Sequence, residues 1–195
     1  MEITINKQTI SLGEIYNINV NGQLTFTASR GAFKLGIKLY NLNDQSPLVT
    51  IQPVLLTWLP QYNYIFNDDS NGIFEVIRTA FVFDAEAVIK KSNFEINEHR
   101  GRKFTIYKNG KQIAWWKTKM VTFFVGDNAT MLADDDCDLN EVLTILLTVE
   151  HLKTRKERQW ININFGRLFQ SKKFDETWQP KINYNKTYSI NPQSH

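Results

Sequence analysis

Three aspartates at alternate positions, Asp134, Asp136 and Asp138, spell D-x-D-x-D, the opening of a calcium loop. A full loop of that kind also needs glycine at its sixth position and glutamate at its twelfth, where this chain has Leu139 and Ile145. The run leads straight into an apolar segment. The acids therefore read as a solvated turn and helix cap, favoured by the positive end of the helix dipole, with cation binding as the alternative. Asp138 followed three residues later by Glu141 resembles a capping box. His99, His151 and His195 are not at ligand spacing, and Cys137 is the only cysteine, so neither a zinc set nor an intrachain disulfide is expected. Cys137 follows three acids at a helix start, where the dipole would lower its pKa and the acids would raise it, so it reads as an inert thiol. G-x-S-x-G, Walker and G-x-G-x-x-G motifs are missing. This reading assigns no catalytic residue, no metal ligand and no cofactor, and an enzyme is the least supported class.

The segment with most chemical promise is basic. Lys153, Arg155, Lys156 and Arg158 precede Trp160, and Lys172, Lys173, Phe174 and Trp178 repeat the theme. Cations interleaved with aromatics suit anionic lipid, each Lys or Arg contributing up to ~1 kcal/mol near the surface. The bland alternative is a solvated helix exit and a tail whose aromatics pack on the rest of the protein. Residues 152–195 hold nine of the 23 Lys/Arg and three of the 20 acids, net +6, against −3 for the remainder. The total of +3 argues against a dedicated nucleic-acid binder. The expected partner is an anionic phospholipid or membrane surface, or a protein.

The elements that must position these residues are mostly short strands. Alternating runs flank Asn21-Gly22 and Asn109-Gly110, and Asn-Gly between such runs is the strongest short-range hairpin signal. Residues Phe33–Tyr40, Leu48–Trp58 (interrupted by Pro53), Tyr62–Phe66, Ile73–Ala80, Phe81–Ile89, Lys103–Tyr107, Gln112–Trp116, Lys119–Val125 and Ala129–Ala133 are further candidates, separated by turn clusters such as NLNDQSP and NDDSNG. About ten to twelve strands result by this pattern. Ile161, Ile163 and Phe165 alternate as in one more. Trp115-Trp116 sends one indole to each side of its sheet.

One helix stands apart. Leu139–Leu152, LNEVLTILLTVEHL, has apolar residues at 139, 142, 143, 145, 146, 147, 149 and 152, all round the axis, as in a helix buried on every face. Its length of ~21 Å matches a seven-residue strand of ~23 Å. A barrel of about twelve strands leaves a lumen that such a helix would plug. The predicted fold is mainly β: a closed antiparallel barrel of about twelve strands around a central hydrophobic helix.

Three stretches resemble, in order, the Tubby C-terminal superfamily in its LURP-one-related and phospholipid-scramblase-like branch. They are KLYNLNDQSPLVTIQ (Lys38–Gln52), FTIYKNGKQIAWWKTK (Phe104–Lys119) and DDDCDLNEVLTILLTVEH (Asp134–His151). The resemblance covers roughly residues 10–151 and implies a twelve-stranded barrel around a hydrophobic helix, and lipid or protein binding. The basic set with which Tubby proteins hold phosphoinositides does not map onto this chain, and the Pro-rich and Cys-rich segments of scramblases are missing.

The domain reading is a barrel over residues 1–158 and a basic, aromatic tail over 159–195, packed on the barrel or partly flexible. The functional expectation is a non-enzymatic binding module for anionic lipid head groups, with Lys153, Arg155, Lys156, Arg158, Trp160, Lys172 and Lys173 as its site. The alternatives are a protein-interaction module without a ligand, or a calycin-type barrel holding a small apolar molecule with the helix packed outside. MEITINKQTISLGEIY lacks a basic region followed by an apolar run, so no signal peptide is expected. Val142–Val149 is far short of the ~20 residues that span a bilayer. A cytoplasmic location is expected, with peripheral membrane attachment following from the lipid reading.

Overall fold

Asn21-Gly22 and Asn109-Gly110 both turn through positive φ (50° and 83°, 50° and 80°), as their hairpins require. They belong to a computed structural model, which describes residues 1–10, 13–31, 36–44, 46–78, 83–119, 128–159 and 172–182, with the side chains at 9, 10, 78, 119, 128 and 154–159 outside the description. The strands are β1 (Glu2–Ile10), β2 (Gly13–Val20), β3 (Gln23–Gly31), β4 (Ile37–Asn41), β5 (Val49–Val54), β6 (Gln61–Phe66), β7 (Asn71–Arg78), β8 (Asp84–Ile89), β9 (Ser92–His99), β10 (Lys103–Lys108), β11 (Lys111–Lys119) and β12 (Asn128–Ala133). Each pairs antiparallel with the next, and β1 pairs with β12 from Glu2↔Leu132 to Asn6↔Asn128, closing the barrel. Among the described residues a single helix, α1 (Leu139–Gln159), follows β12.

Strand alternation sorts the wall into two faces. Ile3 and Ile5, Tyr16 and Ile18, and Phe104 and Ile106 point inward and are buried, whereas Ile65, Ile73 and Val88 point outward and are exposed. Twelve strands at ~4.8 Å spacing, tilted by ~40°, make a backbone cylinder about 24 Å across. That leaves one layer of wall side chains around a helix about 10 Å wide. Every residue of α1 from Glu141 to Leu152 is buried. Its hydrogen bonds reach opposite walls: Tyr64 Oη on β6 donates to Thr148 Oγ1 (2.9 Å), and Trp116 Nε1 on β11 donates to Glu150 (3.1 Å). Four strands lie between them one way round the ring and six the other. The helix therefore fills the lumen, which removes the alternative of a ligand-filled barrel with its helix outside.

Several boundaries differ from the sequence expectation. The run Leu48–Trp58 is a strand only over Val49–Val54, and residues 55–60 form a loop. Pro53 lies past the last β4 pairing, Ile37↔Ile51, so no ladder bond on that side needs its N–H. Lys119 ends β11 rather than opening another strand, and the rest of that candidate, like Ile161–Phe165, lies outside the described residues. The helix runs to Gln159 rather than stopping at Leu152. Asp138 Oδ1 accepts the Asn140 N–H (2.9 Å), but Glu141 does not complete a capping box; it meets Lys108 Nζ (2.6 Å). In a plugged barrel a wall lysine can reach that carboxylate, and here Lys108 takes it.

Candidate functional site

Because the strands simply alternate, the barrel has two distinct ends. Links from odd to even strands lie at one end and links from even to odd strands at the other. β12 runs down to the second end, α1 starts there, and the helix climbs back to leave at the first. We call these the helix-start and helix-exit ends. At 1.5 Å per residue α1 is about 31 Å long, so its last turns rise past the rim that buries Leu152.

Charge divides between the ends. The helix-start end carries Glu2, Asp44, Asp68, Asp69, Asp134, Asp135, Asp136, Asp138 and Glu141, against Lys90, Lys91, Lys108, Lys111 and Lys181. These acids have protein partners where the turn is tightest. Asp134 Oδ1 accepts the Lys181 N–H (2.7 Å), Asp135 meets the Met1 amino group, and Asp136 pairs with Lys181 Nζ (3.5 Å). Among the described residues no group of His, Cys, Asp and Glu is arranged to hold a metal ion. Cys137 is half-buried against the core beside Leu139.

The helix-exit end is basic on balance. β3, β7 and β11 bring Arg30, Arg78 and Lys119 to it, the β9–β10 turn and the start of β10 add Arg100, Arg102 and Lys103, and α1 carries Lys153, Arg155, Lys156 and Arg158 out through it, against the acids Glu14, Asp84, Glu98, Glu150 and Glu157. Two of these cations are committed inside. Lys153 Nζ lies 2.8 Å from Glu150, 2.5 Å from Thr118 Oγ1 and 4.0 Å from the centre of the Phe104 ring. Glu150 also accepts from Trp116 Nε1 and from Thr118 Oγ1 (3.0 Å), so a satisfied polar cluster closes the lumen at this end. Arg30 meets Glu14 (3.3 Å), which Lys7 (3.1 Å) and the Tyr16 hydroxyl (2.9 Å) also contact. Burial pushes the Glu14 carboxyl up, but Lys7, the Tyr16 hydroxyl and Arg30 outweigh it and hold the group below the usual carboxylate range. Burial and the Glu14 charge drive the Tyr16 phenol far above its ordinary value, so it stays a neutral donor. His151, on the same stretch of helix, bonds through Nδ1 to Tyr62 Oη (3.1 Å).

The remaining predicted site residues divide. Arg155, Lys156 and Arg158 lie on the emerging helix, and Trp160 lies outside the described residues. Lys172 and Lys173 are not at the rim. The segment 172–182 lies along the outer wall, where Lys172 pairs with Glu95 and sits over the Tyr107 ring (4.2 Å) while Lys173 is exposed. Phe174 is held between His99 (5.2 Å), Trp115 (5.5 Å) and Lys103 Nζ (4.3 Å). Of the tryptophan pair, Trp116 is thus the inner one and Trp115 the outer one beneath this segment. Burial lowers the His99 pKa; Asp84 opposes the shift and Lys103 reinforces it.

Sequence reasoning missed the Arg100–Arg102 turn and the exposed loop at residues 55–60, both at the helix-exit end. The loop was legible in principle. A strand through all eleven residues of Leu48–Trp58 would be ~36 Å long, well beyond its neighbours.

A single meander closed on itself around its own helix defines a Tubby-like class of barrel. A family model described as LURP-one-related matches residues 1–150. The chain belongs to the LURP-one-related family, within the Tubby C-terminal-like superfamily. Searches of curated proteins and of solved structures return no significant match. Among the described residues no helix is long and apolar enough to cross a membrane.

Proposed function

We propose that this barrel is a non-enzymatic module that docks on anionic membrane surfaces through its helix-exit end. The observation that carries the reading is the polarity of charge along the barrel axis, with acids in excess where α1 starts and cations in excess where it leaves. Of the residues that the sequence singles out, Arg155, Lys156 and Arg158 are the primary contacts on this reading, with Arg100 beside them. Lys153 supports the helix through Glu150, and Lys172 and Lys173 lie on the outer wall away from this rim, Lys172 paired with Glu95. At up to ~1 kcal/mol per cation, replacing Arg155, Lys156 and Arg158 by glutamine lowers vesicle binding by up to about 100-fold. The test is co-sedimentation with anionic and with neutral vesicles at low and high salt. Binding should require anionic lipid and weaken as salt rises. Equal, negligible binding to both vesicle types overturns the proposal.

A second reading, a protein-interaction module, draws on the outer wall, where Ile73 pairs with Val88 across β7 and β8 and both are about half exposed (49% and 50%). Its test is whether Ile73→Glu with Val88→Glu abolishes co-purification of one stoichiometric protein.

A further inference from the structure

We propose that the β5–β6 loop, Leu55–Leu59, is a membrane-penetrating loop that supplies the apolar half of the contact whose electrostatic half is the basic helix-exit end. This inference rests on the docking reading above and adds to it a second element, a depth of insertion and an orientation.

The loop joins an odd strand to an even one, so it stands at the same end as the emerging helix and the Arg100–Arg102 turn. Residues 53–60 read PVLLTWLP and contain no charged side chain. Leu56 and Trp58 are fully exposed (105% and 103%), Leu55 is 59% exposed and Leu59 37%. Scattered apolar surface residues need no explanation, but a run of four at one loop tip does. Leu56 also has φ +64°, a left-handed conformation that disfavours a residue with a Cβ. The base of the loop is fixed. Val54 pairs with Gln61, and the Pro60 carbonyl accepts the Val76 N–H (3.0 Å). Pro53 and Pro60 restrict φ on either side.

The composition selects the occupant. Tryptophan is favoured at the membrane–water interface, and leucine just beyond it in the acyl region. An uncharged tip at the same end of the barrel as the cations matches a bilayer with an anionic surface over an apolar interior. The cations stop at the head groups while Leu56 and Trp58 pass below them. Burying either side chain tightens binding by about tenfold or more.

The experiment places an environment-sensitive fluorophore on the loop tip as Thr57→Cys, in a Cys137→Ala background, and on the opposite end as Asp44→Cys in the same background. Both are mixed with anionic vesicles carrying acyl-chain quenchers. The loop label should shift to the blue and be quenched, while the Asp44→Cys label stays as in water. In parallel, Leu56→Ser with Trp58→Ser should lower binding by about 100-fold or more at high salt, where screening leaves the apolar part dominant. A weaker, salt-sensitive association should survive in that variant. If the parent binds vesicles while the loop label remains in water, or if the double variant binds as the parent does at high salt, the insertion inference is overturned and the docking reading stands. If the parent does not bind anionic vesicles, both are overturned. A loop label that shifts only on adding a protein would replace the lipid occupant with a protein one, and so also overturns the inference.

Discussion

Replacing Ile145, Leu146 and Leu147 by alanine, one at a time, tests whether α1 is enclosed on every side. Consecutive helix positions point ~100° apart, so the three sample most of the circumference. All three are fully buried. Each substitution removes about three carbon groups, worth ~2.4 kcal/mol at ~0.8 kcal/mol apiece. The hole left behind adds ~24 cal/mol per Å³ that the neighbours fail to fill. The inward side chains lie on strands locked into a closed ladder, which limits collapse, so about 3–4 kcal/mol is expected for each. Val88→Ala, on the outer wall at 50% exposure, is the control and should cost no more than about 0.5 kcal/mol. Urea unfolding followed by tryptophan fluorescence gives the differences. The reasoning is refuted if any one of the three helix variants costs less than about 1 kcal/mol, because one side of the helix would then be wet.

Three further outcomes follow from the geometry. Trp116→Phe keeps the stack on Phe104 (4.9 Å) but removes the Nε1–H donated to Glu150; it should cost about 1–3 kcal/mol by chemical denaturation. Glu14 is held below the usual carboxylate range, so its stabilisation is present above its ordinary value near ~4.3 and lost as pH falls through the lower folded-state value. Glu14→Gln should therefore flatten the acid limb of the stability–pH profile. His99 is depressed chiefly by burial, so its imidazole should titrate below ~6.5 by NMR, with its stabilisation full above ~6.5 and lost as pH falls through the depressed value. Phe174→Ala, which uncovers the ring, should move that midpoint upward.

The helix and the hairpins were legible because each leaves a local mark. Eight apolar residues round the axis between Leu139 and Leu152 state that no side of the helix meets water, and Asn-Gly states a turn. The Lys90–Lys91 turn was not legible. Both lysines adopt positive φ (48° and 68°), and nothing in their chemistry announces it. Pairing across the lumen and around the ring decided what local pattern could not. Asp138–Glu141 has the spacing of a capping box, but Lys108 from β10 takes the glutamate. The basic segment after Leu152 was visible as composition. Its division was not, because Lys153 turning inward to Glu150 and Lys172 lying on Glu95 depend on the folded wall. The exposed loop at Leu55–Leu59 was hidden by its own hydrophobicity, since an apolar run reads as strand until its neighbours fix where pairing ends.

The central functional claim is that one end of the barrel, and not its overall charge, meets the membrane. It is tested most directly by removing three cations from either end and comparing flotation with anionic vesicles at low salt. Arg155→Gln, Lys156→Gln and Arg158→Gln together should weaken binding by up to about 100-fold. Lys90→Gln, Lys91→Gln and Lys111→Gln, an equal change of net charge at the helix-start end, should leave it within about twofold, because those charges lie more than a Debye length of ~10 Å from the surface. Equal losses from the two sets would contradict the account.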